Sequence, residues 1–403
     1  MLQRLKRPSH LALAAALVAL IVSGGIAISR LVRSNPAATT AAPQPLTVGK
    51  EMALHAVACA STTFCLAVGS YSVDGSSNDR RALVERWNGA GWAVLTAPSP
   101  DSDTVLNAVA CVSSSACMAV GAQTPANAPA TQAFALRWNG AALAITPLPS
   151  AAGDTVLNGI ACPLERRCIA VGSSKSGQLP AAWVATWDGA GWAATTGATP
   201  TGGVDSWLNA VACTQPAACT AVGGYSTSGD HDDPVSDPLI ESWDGMAWSV
   251  VPSPAPGAGN LAVLSSVACT ARSSCFAVGN YSVVNNAYGD DTQALVETTG
   301  AGRWTEVRPA GADAGAAQSA LQSIACSAAG QCVAVGTAPQ SGYAVAAGLI
   351  ATLGASGWER LPASASHAVL ESVACPSRTC LVVGERAGGT QLLAIWRNLP
   401  PAT

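Results

Sequence analysis

The residues with the most evident chemistry are the 14 cysteines of this 403-residue chain, and they come in close pairs. Cys59 and Cys65 stand six positions apart in "LHAVACASTTFCLAVGSY". Such a pair can hold a metal, cycle between thiol and disulfide, or staple a turn. Six more pairs follow: Cys111/Cys117, Cys162/Cys168, Cys213/Cys219, Cys269/Cys275, Cys326/Cys332 and Cys375/Cys380, the last five apart. Zinc needs four convergent ligands per site, yet the chain has only four histidines (His10, His55, His231, His367) and no Cys-x-x-Cys. Redox catalysis needs a pair in a basic or helix-terminal setting, and no pair here is so distinguished. Seven structural disulfides are expected, with no thiol left over.

The second chemical candidate is acidic. Thirteen of the 15 aspartates lie in polar stretches of variable length, such as "SYSVDGSSNDRR" (70–81), "YSTSGDHDDPVSDP" (225–238) and "YSVVNNAYGDDTQ" (281–293). A recognition surface built there would use Tyr71, Asp74, Asp79, Tyr225, Asp230, His231, Asp232, Asp233, Asp237, Tyr281, Asp290 and Asp291. Hard cations want several oxygen ligands, so Asp230, Asp232, Asp233 and Asp237 form the one calcium candidate, although without EF-hand spacing. No other cofactor is expected. The competing reading is that aspartate favours turns because its carboxylate bonds the nearby backbone. No serine nucleophile elbow, His-Glu-x-x-His site or phosphate loop occurs. No catalytic residue is assigned, and a non-enzymatic protein is expected.

The elements that position these groups follow from self-comparison. The opening stretch returns as "LNAVACVSSSACMAVG", "LNGIACPLERRCIAVG", "LNAVACTQPAACTAVGGY", "LSSVACTARSSCFAVGNY", "LQSIACSAAGQCVAVG" and "LESVACPSRTCLVVG". The first cysteines are 52, 51, 51, 56, 57 and 49 residues apart, a period that suits a four-stranded propeller blade. Each repeat also carries a second hairpin, as in "RALVERWNGAGWAVLTAP", because Asn-Gly or Asp-Gly between β-prone flanks is a strong turn signal. The first two strands are apolar on both faces, as expected of strands sandwiched between neighbouring sheets. Trp87/Trp92, Trp187/Trp192 and Trp243/Trp248 bracket the outer hairpins and are read as seam packing. The expected fold is all-β, a seven-bladed propeller of four-stranded antiparallel blades preceded by an N-terminal helix. The seventh repeat ends after "TQLLAIWR", one strand short. Residues 43–52, "PQPLTVGKEM", are expected to supply that strand and so remove two open edges.

The "VAC-x5-C-x-AVG" and "W[ND]G-x-x-W" repeats over residues 54–397 resemble those of exported actinobacterial propeller proteins. The "WDGAGW" turn also resembles the Asp-box of sialidase-type propellers. There the box is a structural hairpin, so the resemblance implies a fold and carries no catalytic residue.

Residues 1–33 open with Arg4, Lys6 and Arg7, run apolar from Leu11 to Ile28, and end with Arg30 and Arg33. We read them as an uncleaved signal anchor with a cytoplasmic N-terminus, or else as a cleaved signal giving a secreted protein. Residues 34–42 are a stalk, and 43–403 the propeller. The chain has formal charge −4; residues 1–33 hold five Lys or Arg and no acid, so the remainder carries −9. That disfavours nucleic acid as a partner. The expected protein is a monomeric, extracytoplasmic, membrane-anchored module binding a protein, peptide or glycan through its loop-rich acidic face. The alternatives are a carbohydrate-active enzyme, hydrolase or lyase, with two carboxylates about 5 to 10 Å apart over the central channel, and a structural envelope module.

Overall fold

The first repeat folds into four antiparallel strands, β1 (Lys50–Ser61), β2 (Phe64–Ser72), β3 (Arg80–Trp87) and β4 (Trp92–Val94), hydrogen-bonded in that order. The computed structural model describes residues 49–396, apart from 77–78, 101, 127, 129, 152, 176, 178, 229–235, 255–260, 284–290, 301, 308–318, 328–330, 340–345, 355–356, 362–367 and 387–389. Repeats two to six give the same four-stranded sheet. The outer turn forms because the Asn88 side chain accepts from the Ala90 and Gly91 amides, both at 2.9 Å, while Gly89 takes a φ of 92° that a side chain would strain. Trp87 and Trp92 then face one another across the hairpin with ring centroids 5.6 Å apart, and Trp187/Trp192 and Trp243/Trp248 repeat the pair at 5.6 and 5.5 Å.

The expectation of seven four-stranded blades is corrected. Six blades have four strands; the remaining sheet has three, Ala368–Ala374, Cys380–Arg386 and Thr390–Trp396. Lys50 and Met52, expected in the missing strand, lie instead in β1, where Lys50 pairs with Ser72 of the first blade. These residues form the first strand of the first sheet, and so they do not add a fourth strand to the last one. Residues 43–48 lie outside the described residues, as do 1–33 and the stalk. No helix is seen among the described residues, and so none long and apolar enough to cross a membrane.

Among the described residues, packing joins the last sheet to the first. Each seam between neighbouring sheets holds its own apolar cluster. The closing seam packs Ala374, Leu381 and Val383 of the last sheet against Met52, Leu54, Val57, Ala67 and Leu83 of the first. The Val57 amide also donates to Ser372 Oγ at 3.2 Å across that seam. Because both faces of each inner strand pack on a neighbour, the alternation usual for a half-exposed strand is absent from the sequence.

All seven expected disulfides are formed: Cys59–Cys65, Cys111–Cys117, Cys162–Cys168, Cys213–Cys219, Cys269–Cys275, Cys326–Cys332 and Cys375–Cys380. No cysteine is free. In five repeats the two cysteines are direct cross-strand partners: Cys59 with Cys65, Cys111 with Cys117, Cys213 with Cys219, Cys269 with Cys275 and Cys326 with Cys332. The second member of every pair, Cys65, Cys117, Cys168, Cys219, Cys275, Cys332 or Cys380, is buried, none more than 4% exposed. Enclosed in the seams, these sulfurs are the structural staples that the sequence led one to expect. Cys117, Cys168, Cys275 and Cys332 each belong to a different apolar seam cluster and pack there as small hydrophobes.

On the chain-entropy argument each disulfide closes a short loop and contributes about 2 kcal/mol. Replacing both Cys213 and Cys219 with alanine should therefore cost about that much in a denaturant titration. A midpoint unchanged from wild type would show that the staple adds nothing to the packed seam.

Candidate functional site

Every innermost strand carries a β-bulge at the same place. In β1, Leu54 pairs with Gly69 and Ala56 with Val68, so His55 is the extra residue. The same break falls at Asn107, Asn158, Asn209, Ser265, Gln322 and Glu371. A bulged residue is released from the ladder and re-aimed. Here all seven turn toward the axis, where they line one cavity of about 450 Å³ together with Ala53, Leu54 and Glu385. That volume lies within the range of small-molecule sites. Glu385 pairs with Val369, two positions before Glu371, so it lies toward the end of the channel where the inner strands begin.

The bulge explains the glycine of the "VG" pair that follows the cysteines in each repeat. A Cβ on Gly69 would meet the Ala53 carbonyl oxygen at 1.9 Å, so only a residue without a side chain admits the displaced strand.

Two kinds of stitch join the ring of bulges. Asn107, Asn158 and Asn209 each donate from Nδ2 to the carbonyl of the next blade's leucine: Leu157 at 3.0 Å, Leu208 at 3.0 Å and Leu264 at 2.9 Å. Where the asparagine is missing, the residue after the bulge is serine in three repeats. Ser266, Ser323 and Ser372 accept the amides of Ile324, Val373 and Val57 of the following sheet, at 3.2, 3.3 and 3.2 Å. Burial pushes the His55 imidazole below its ordinary value; a hydrogen bond with Asn107 opposes this and the Arg80 charge adds to it. Burial, then the charge of Glu385, pushes the Glu371 carboxyl up.

Among the described residues, none of the loop acids or tyrosines singled out from the sequence lines the cavity, and no cysteine does. Tyr71, Tyr225 and Tyr281 are part-buried packing groups at the seams, and the Tyr281 hydroxyl donates to Gln293 at 2.7 Å. Asp74 accepts from the Ser76 amide at 2.7 Å in a local turn, and Asp79 pairs with Arg81 at 2.9 Å. Asp237 opens a strand opposite Tyr225, and Asp291 opens the strand Asp291–Gly300. Asp230, His231, Asp232, Asp233 and Asp290 lie outside the described residues, so the calcium candidate is represented by Asp237 alone. Among the described residues no group of three His, Cys, Asp or Glu is placed to hold a metal. Other loop aspartates are stitches as well: Asp103 takes three hydrogen bonds from Arg80, which holds its carboxyl below the usual range, and Asp154 accepts from the Thr131 amide at 2.8 Å. Asp74 thus follows the turn-forming reading, while Asp103 and Asp154 tie one blade's loop to the next.

Sequence reasoning missed the cavity ring, although a signal was present. In each "L-x-[AGS]-[VI]-A-C" the position x is polar within an otherwise apolar strand, and its chemistry changes freely between repeats: His, Asn, Asn, Asn, Ser, Gln, Glu.

No protein-family model matches the chain, and no curated protein matches it. Solved structures with a similar fold include a GH74 xyloglucanase from Xanthomonas campestris, 18% identical with a TM-score of 0.53 over 83% of this chain and 51% of that one. This chain thus spans about half the length of the xyloglucanase. The extracellular domain of a putative one-component system from B. thetaiotaomicron aligns at 8% identity and a TM-score of 0.53, over 91% of this chain and 40% of that one. YCF48 from Cyanidioschyzon merolae aligns at 12% identity and 0.50, over 86% and 96%. At these identities the likeness establishes the propeller fold and nothing finer.

Proposed function

We propose that this chain is an extracytoplasmic binding module whose ligand seat is the central cavity rather than the acidic loops. The carrying observation is that seven bulges turn seven side chains of five chemical types into one cavity of about 450 Å³. Six seams carry an Asn or Ser stitch, and His55 meets Asn107 across the seam between the first two blades. Gln322, Glu371 and Glu385 add donors, acceptors and charge that no stitch calls for. Few convergent polar groups in a cavity of this size are the usual mark of a ligand site. Seven formed disulfides support an oxidising compartment, in keeping with residues 1–33 as an export anchor. The ligand is a small molecule or the end of a peptide or glycan, since the cavity admits only a few residues or sugar units.

The test is a glycan and peptide array probed with the full chain and with Ser265→Trp. Ser265 lines the cavity and supplies neither stitch, so the indole should fill the seat and leave the blades joined. Array signal should fall by about tenfold or more with little change in melting temperature. Equal signal from both proteins would move the binding site out of the channel.

A second reading is favoured by one observation: Glu371 and Glu385 line the same cavity, and Glu371 is pushed up by burial and by its neighbour. Two carboxyl groups in one cavity, one of them pushed up, are what glycoside cleavage uses. Ligands recovered intact from the array support binding; new reducing ends that Glu371→Gln abolishes support the hydrolase.

A further inference from the structure

The cavity is chemically one-sided. On the arc formed by blades two to four, the three asparagines commit Nδ2 to neighbouring carbonyls. A carboxamide held by its nitrogen offers its remaining oxygen as an acceptor. Asn107 meets His55, which leaves Asn158 and Asn209 as acceptors toward the cavity. Across the ring, the last sheet contributes Glu371 and Glu385, and no lysine or arginine is among the described lining residues. The described wall is therefore rich in acceptors and carries carboxylates with no lining cation to balance them. An anionic ligand would meet repulsion there. A neutral polyol would find acceptors but leave the two glutamates facing each other.

We propose that the cavity seats a primary ammonium group at Glu371 and Glu385, with Asn158 and Asn209 accepting from the rest of the ligand. An ammonium brings three donors and no acceptor, which complements this wall. Seated near both carboxylates, it also screens the repulsion between them. The inference rests on the binding reading above and gives it a chemistry. The carrier of the ammonium is an amino sugar or a lysine side chain, and matched probes distinguish the two.

The experiment is isothermal titration of the full chain in mild detergent with glucosamine against glucose, and with Nα-acetyl-lysine amide against Nα-acetyl-norleucine amide. The ammonium member of at least one pair should bind about tenfold or more tighter than its neutral partner, and the tighter of the two amines identifies the carrier. Glu371→Gln and Glu385→Gln should each weaken it by about tenfold or more, a charge-specific loss that keeps the side-chain shape. Their melting temperatures should stay at or above that of wild type, because each removes a like-charge neighbour. If glucose binds as tightly as glucosamine and neither glutamine variant matters, the ammonium inference is overturned while the cavity remains a ligand seat. If neither amine binds, the inference is likewise overturned, and the Ser265→Trp array comparison decides the binding reading independently.

Discussion

Gly223→Ala is expected to prevent folding, or to destabilise the protein by more than about 4 kcal/mol, beyond the usual range of single substitutions. Gly223 pairs with Leu208 beside the bulge at Asn209. A Cβ there would lie 2.0 Å from the Trp207 carbonyl oxygen and 2.8 Å from the Leu208 Cα. Both are backbone atoms of the innermost strand, which is packed against neighbouring sheets and cannot retreat without opening a seam. A flexible side chain could rotate away from such a clash; a strand in a closed ring cannot. Gly191→Ala is the control, since nothing lies within 4 Å of its Cβ position, and its stability should stay near wild type. Thermal unfolding followed by near-ultraviolet circular dichroism reads both. A Gly223→Ala protein that melts with wild type would mean that the bulge, and with it the ring of cavity side chains, is not formed as described.

Mild acid should stabilise the protein. Three glutamates at one position of the third strand, Glu85, Glu241 and Glu297, are 1%, 0% and 0% exposed. Each accepts one hydrogen bond from the preceding sheet: Glu85 from Gln391 at 3.0 Å, Glu241 from the Ala198 amide at 3.0 Å, Glu297 from the Ser253 hydroxyl at 2.7 Å. Among the described residues the second oxygens of Glu241 and Glu297 have no partner. Burial accordingly pushes Glu241 and Glu297 up to about 7, and Glu85 up as well. The ordinary value in an unfolded chain is near 4.5. Between those values the folded protein holds protons that the unfolded chain has lost, so stability is greatest on the acid side and declines as pH rises through 7. Each of the two contributes roughly 3 kcal/mol to that decline. The depressed His55 works in the opposite direction near its own range. Asp103, held low by Arg80, loses its contribution only below the ordinary carboxylate range, outside this window. The melting temperature should fall by about 5 to 10 °C from about pH 5 to about pH 8. Glu241→Gln with Glu297→Gln should remove more than half of that slope, because the amide still accepts the seam hydrogen bond but does not titrate. A double variant with the full wild-type slope would place the titration elsewhere.

The repeat frame was legible in the sequence because its causes are local. Two cysteines six apart between β-prone runs can meet only across a hairpin. Asn88-Gly89 writes its own turn, and strands apolar on both faces require neighbours on both faces. The pairing of all 14 cysteines and the two hairpins of each repeat follow from such short-range rules. The burial of Cys117, Cys168, Cys275 and Cys332 does not, since the seams that enclose them are made by the next repeat. Among the described loop acids, several have structural partners. Asp74, Asp103 and Asp154 spend their oxygens on nearby amides and on Arg80.

Chain order already implies that similar units stack; their closure and the identity of the site belong to the assembled fold. The fourth strand of the last sheet is not supplied by Lys50–Met52, because these residues begin the first strand of the first sheet. The bulges depend on a two-against-one register between strands, a relation that no single segment contains, although the polar residue after each leucine and the glycine after each valine are its two halves in sequence. Glu371 and His55 are more than 300 positions apart in sequence, and only closing the ring brings them to one cavity. Local residues thus define each blade, its turns and its staple. What the blades surround depends on long-range packing, because the chemistry of a channel is the sum of one side chain from every repeat, fixed only when the last seam packs.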